Sequence, residues 1–117
     1  MATIKSYTSI EQSRKLAEIL PLESADMCYE VGEDLDGYIT KTIYTPLMHT
    51  PYNDDYIPCW SLAALLSVLP NGIVMNKDSQ NGKYHLSSEY IGTYVTADNP
   101  IDACVSMIEK LHELKML

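Results

Sequence analysis

Phenylalanine is absent from this chain of 117 residues; glycine occurs five times, cysteine three times, and Lys and Arg together eight times against sixteen Asp and Glu. Each shortage excludes something. A formal net charge of -8 with so few cations argues against a face that grips nucleic-acid phosphates or an anionic membrane. No apolar run approaches the ~18 residues of a spanning helix, so no membrane segment is expected. With five glycines there is no Gly-x-Gly-x-x-Gly and no phosphate loop, so a nucleotide cofactor lacks its usual cradle. His49, His85 and His112 are scattered. Without a His-x-x-x-His, a Cys-x-x-Cys or a His-x-Glu there is no zinc signature. Cofactors and metals are therefore expected to be none.

The cysteines Cys28, Cys59 and Cys104 are odd in number and far apart, the pattern of thiols in a reducing compartment. The first residues carry neither an apolar signal core nor an arginine-rich transit pattern. The expected location is the cytoplasm. The length suits a single α+β domain over residues 1–117.

What is present is tyrosine and acid. Nine tyrosines and one tryptophan make up the aromatic set, and tyrosine suits half-buried strands, rims and interfaces. The acid is concentrated. Glu18, Glu23, Asp26, Glu30, Glu33, Asp34 and Asp36 fall between Leu16 and Thr40 with no Lys, Arg or His among them.

The apolar pattern predicts a helix over 9–20, opened by a capping box from Thr8 to Glu11 and stopped by Pro21. Met27–Val31 and 38–44 read as strands, the second at an edge, with Asp36-Gly37 as a turn. The stretch 45–58, with Pro46, Pro51 and Pro58, reads as a long loop. Trp60–Leu69 is apolar nearly all round, which predicts a deeply buried helix. Residues 73–75, 83–86 and 90–95 form a small antiparallel meander. Asn99 as cap, Pro100 at the first helical position and Asp102 in the first turn open a final helix to about residue 115. The expected fold is α+β, three helices on one face of a small, mainly antiparallel sheet of three to five strands, in the order α-β-(β)-α-β-β-β-α.

Chemistry-bearing patterns are few. Glu33 to Gly37 suggests a calcium loop. Setting Gly37 at the invariant glycine puts Gly32 and Ile43 where the first and the bidentate ligands must stand, so a solvated turn is the better reading. Cys59 just ahead of a helix, with His85 on a later strand, is the physical recipe for an activated thiolate. Papain-like enzymes share the Cys-Trp pair, but Ile57-Pro58 stands here in place of their Gly-Ser, and no third residue to orient His85 is evident. Tyr52, Asp54, Asp55, Tyr56 and Trp60 gather aromatics and carboxylates beside the second helix, a candidate partner surface.

Three stretches resemble a known group together: Glu11–Met27, Pro58–Pro70 and Asp98–Leu114. They are similar to small uncharacterised proteins of Bacteroides-type gut bacteria and their phages or mobile elements. The resemblance implies a bacterial cytoplasmic protein and lends no activity and no site residue. The leading expectation is a non-enzymatic protein-binding or accessory domain, with a protein partner or self-association as a homodimer, and no direct nucleic-acid binding. One alternative is an acidic DNA mimic that blocks a nucleic-acid-binding protein. The other is a Cys-His hydrolase using Cys59 and His85.

Overall fold

The first helix starts one residue later than the expected capping box. Ser9 is the N-cap of α1 (Ile10–Ala17), its hydroxyl accepting from the Gln12 N–H at 3.2 Å while the Gln12 side chain accepts from the Ser9 N–H at 3.0 Å. Locally, Thr8–Glu11 and Ser9–Gln12 are equally good boxes. Tertiary contacts decide between them, because the Thr8 side chain is buried and committed elsewhere. The computed structural model describes residues 5–31, 39–42, 56–89 and 92–117. The Asp36-Gly37 turn, positions 38, 43 and 44 of the second expected strand, and positions 45–55 of the expected loop lie outside these.

After a 3-10 turn at Leu22–Ser24, the chain forms β1 (Met27–Val31) and β2 (Ile39–Thr42), then β3 (Tyr56–Cys59), α2 (Leu62–Val68), β4 (Ile73–Lys77), β5 (Tyr84–Ser88), β6 (Tyr94–Ala97) and α3 (Pro100–Glu113). The α+β class is the one expected, and the element order matches apart from one additional strand, β3, before the second helix. Among the described residues the strands divide between two antiparallel three-stranded sheets, ordered β2-β1-β3 and β4-β5-β6. The proline-rich stretch read as a loop ends in a strand: β3 pairs with β1, Met27 facing Cys59 and Tyr29 facing Ile57. Pro58 is tolerated because β3 is an edge strand among the described residues, where a missing N–H costs little.

Two further boundaries move. The helix expected to open at Trp60 opens at Leu62, with the Ser61 hydroxyl capping the Ala64 N–H at 3.2 Å. Its burial is one-sided: Leu65 is buried, whereas Leu66 is 45% exposed. The last strand begins at Tyr94, because Gly92 takes φ 72, a left-handed turn incompatible with a continuous strand from residue 90. The final helix matches its signals, the Asn99 side chain accepting from the Asp102 N–H at 2.8 Å.

The core lies where α3 crosses the second sheet. Ile101, Cys104, Met107, Ile108 and Leu111 recur at helical spacing, all buried, and pack with Leu16, Trp60, Leu65 and Leu86. A smaller cluster of Met27, Tyr29, Ile57 and Cys59 lies on the first sheet, with Tyr7 and Ile10 against it. Alternation along the second sheet turns Ile73, Met75, Tyr84, Leu86, Val95 and Ala97 toward the large core.

Asp102 ties the N-terminal segment and α1 to the start of α3. Its Oδ1 accepts from Lys5 Nζ at 2.6 Å and from Gln12 Nε2 at 2.8 Å; its Oδ2 accepts from Asn99 Nδ2 at 2.8 Å. Partial burial raises its pKa, but the hydrogen bonds from Lys5, Gln12 and Asn99, with the Lys5 charge, outweigh this and hold the carboxyl below the usual aspartate range. A depressed folded pKa stabilises above the unfolded value of ~3.9, and that stability is lost as pH falls through the folded pKa. The side chain is 37% exposed, so screening limits the contribution to ~1 kcal/mol or less. We expect Asp102→Asn to lower stability at neutral pH by this amount and to flatten the acid limb below about pH 4. Chemical denaturation across pH measures this; superimposable curves for the two proteins would contradict the assignment.

Candidate functional site

Cys59 ends β3 and is fully buried, so it does not stand at a helix N-terminus. Its surroundings are built around Thr8, also fully buried. The Thr8 N–H donates to the Trp60 carbonyl at 3.0 Å, and the Trp60 N–H donates back to Thr8 Oγ1 at 3.1 Å. Thr8 Oγ1 and Ser13 Oγ lie 2.7 Å apart. The Thr8 carbonyl accepts from the Tyr29 hydroxyl at 2.6 Å and from Cys59 Sγ at 3.5 Å. Every polar group of Thr8 is therefore used, as a buried polar residue requires.

This setting suits a structural thiol. Burial pushes the Cys59 thiol up, against hydrogen bonds from Thr8, Ser13 and Tyr29 that favour the thiolate, and the Asp26 charge adds to the rise. Burial likewise pushes up the Tyr29 hydroxyl. An activated cysteine needs the opposite, a lowered pKa and access to solvent.

His85 lies elsewhere, on the outer face of the second sheet. Its Nδ1 is 2.8 Å from Thr96 Oγ1, directly across on β6, and its Nε2 is 3.5 Å from Asp78 Oδ2. The Asp78 carboxylate is held in turn by the Gln80 N–H at 2.7 Å and the Asn81 N–H at 3.3 Å, which lower its pKa. Thus the structure does not bring Cys59 and His85 together. Each is committed to separate partners: Thr8 for the thiol, Thr96 and Asp78 for the imidazole.

Trp60 does not join a partner surface either. It is 0% exposed, lies in the large core, and donates its indole N–H to Ser24 Oγ at 2.9 Å. Tyr56 opens β3. Tyr52, Asp54 and Asp55 lie outside the described residues. Of the acidic run, Glu18 and Glu23 are exposed, whereas Asp26 accepts from the Ser61 N–H at 2.9 Å and pairs with the Ser61 hydroxyl. Gly32–Tyr38, with Glu33, Asp34 and Asp36, is not among the described residues.

Among the described residues, the surface that remains is the outer face of β4-β5-β6, which carries Val74 and Asn76, His85 and Ser87, Tyr94 and Thr96. Tyr94, at 67%, is the most exposed large apolar side chain among the described residues. The alternating Tyr94-Val95-Thr96-Ala97 carried this signal in the sequence, but placing the strand from residue 90 hid which face each residue takes. Among the described residues no group of three or more His, Cys, Asp or Glu is placed to hold a metal, and no helix is long and apolar enough to cross a membrane.

Thiol reactivity distinguishes a structural from a nucleophilic Cys59. With a soluble disulfide reagent at pH near ~8, we expect half-buried Cys28 to react first, and Cys59 and Cys104 to react only as fast as the protein unfolds. Burial pushes Cys104 up to about 11, which slows it further. Native-state labelling of Cys59 ahead of Cys28 would contradict the structural role.

No protein-family model, curated protein or solved structure matches this chain.

Proposed function

We propose that this chain is a non-enzymatic, protein-binding domain of the bacterial cytoplasm, and that it binds through the outer face of the β4-β5-β6 sheet. The observation that carries this reading is Tyr94. A large amphipathic ring, 67% exposed, stands on a sheet face whose opposite side packs on the core. Tyrosine in such a place gives contact area with few torsions to immobilise, which is why it recurs among the residues that dominate binding energy. Val74, on the same face, adds apolar surface. The three cysteines as thiols are in keeping with a reducing compartment. The acid excess makes a basic partner the favourable electrostatic match.

The test is a complex that depends on this face. Size-exclusion and crosslinking of the purified chain with captured partners are expected to show a complex that Tyr94→Ser weakens at least about tenfold. Leu22→Ser, an exposed apolar position in the 3-10 turn away from this sheet, is expected to leave it intact. A strict monomer with no Tyr94-dependent complex, together with a measurable turnover, would overturn the reading.

A further inference from the structure

The edge of β6, unpaired among the described residues, offers more than a face. In an antiparallel ladder, successive residues point their backbone groups alternately toward one neighbour and then the other. The Ser88 N–H bonds the Thr93 carbonyl at 2.9 Å, one pair beyond the strand, and this fixes the phase. Val95 and Ala97, opposite Leu86 and Tyr84, therefore direct their backbone groups to β5. Tyr94 and Thr96 direct theirs away from the sheet. Among the described residues no strand pairs with that side of β6.

The two edges of this sheet differ in how they are protected. Edge strands of natural proteins are commonly blunted by lysine, proline or a bulge. The β4 edge ends in Lys77, whose ammonium lies 5.5 Å from the centre of the Tyr84 ring. The β6 edge, Tyr94-Val95-Thr96-Ala97, has no charge and no proline. Carboxylates flank it instead. Asp98 follows the strand with its side chain 84% exposed, and exposed Glu89 follows β5 at the opposite end of the sheet, its N–H bonded to the Gly72 carbonyl at 3.0 Å. Lys83 approaches Asp98 only to 3.7 Å at a solvated site, an ion pair that contributes little and yields readily to a competitor.

We infer that the β6 edge accepts an extended peptide strand with an uncharged, β-branched centre and basic residues at its ends. This inference rests on the protein-binding reading above and names its partner. The incoming backbone would meet the N–H and C=O groups of Tyr94 and Thr96, alternate side chains would lie against the Tyr94 ring, and the basic ends would meet Asp98 and Glu89. A second copy of this chain fits less well. Antiparallel pairing of β6 with itself sets Asp98 of one copy toward the Glu89 end of the other, and two chains of charge -8 repel.

The experiment uses the full chain, isotope-labelled for amide spectroscopy, and two synthetic peptides of alternating Thr and Val. Each has roughly eight residues, long enough at ~3.3 Å per residue to overrun the strand. One ends in lysines, the other in glutamates. Expected with the lysine peptide are slowed exchange of the Tyr94 and Thr96 amides, affinity that falls with added salt, and binding at least about tenfold tighter than the glutamate peptide. Thr96→Pro deletes an outward N–H while leaving the backbone bonds to β5, so it is expected to abolish binding. Asp98→Lys, which leaves the strand backbone untouched, is expected to weaken binding and serves if the proline variant does not fold. Protection on strands other than β6, equal affinity for both peptides, unchanged binding by either variant, or self-association through β6 that the lysine peptide does not compete away would each overturn the inference. If these fail while a Tyr94-dependent complex persists, the edge assignment alone is wrong. If no polypeptide binds at all, the protein-binding reading falls with it.

Discussion

A threonine hydroxyl and its backbone, shut away from water, set the terms for the rest of the molecule. Thr8 is joined through its N–H and hydroxyl to Trp60, through its hydroxyl to Ser13 on α1, and through its carbonyl to Tyr29 on β1 and Cys59 on β3. Leaving any one of these buried groups without a partner costs roughly 1–3 kcal/mol, a large share of a small domain's stability. The residues are adjacent in space for a reason. Trp60 belongs to the large core under α3, whereas Tyr29 and Cys59 belong to the smaller cluster on the first sheet. Thr8 thus fastens the two hydrophobic clusters to each other by hydrogen bonds where the apolar contacts divide.

Two polar ties reinforce that junction from either side. Asp26 receives the N–H and hydroxyl of Ser61 at the start of α2, and Asp102 receives Lys5 and Gln12 at the start of α3. Tyr7 packs edge-on against Tyr29, their ring centres 6.2 Å apart. In consequence, acids and aromatics that composition alone would assign to a surface are partly consumed in holding the fold. Asp26, Asp102, Tyr29 and Trp60 are structural, and the outer face of the second sheet is left to carry Tyr94 into solvent.

How much of this was legible depended on whether a signal was local. The final helix was, because Asn99, Pro100 and Asp102 define its start through their own chemistry and the apolar spacing defines its buried side. The β1 strand, and β2 as an edge strand among the described residues, were also local patterns. The capping box was not. Thr8 and Ser9 are interchangeable as caps until Trp60, fifty-two residues away, claims the Thr8 hydroxyl. The β3 strand was hidden by Pro58, which argues for a loop unless the strand is known to lie at an edge. Pairing Cys59 with His85 rested on residue type, a thiol just ahead of a helix and the Cys-Trp pair, and no periodicity could reveal that they belong to different sheets. Tyr94 needed a strand register that Gly92 shifts.

Native-state hydrogen exchange of the Thr8 and Trp60 amides tests the central claim most directly, since these two N–H groups are the reciprocal bonds of the junction. If Thr8 fastens the two clusters, both amides exchange only through global unfolding, with the same free energy as the Ile108 amide in the middle of α3. If they exchange through a local opening far faster than Ile108 while α3 stays protected, the junction is peripheral and the account is wrong.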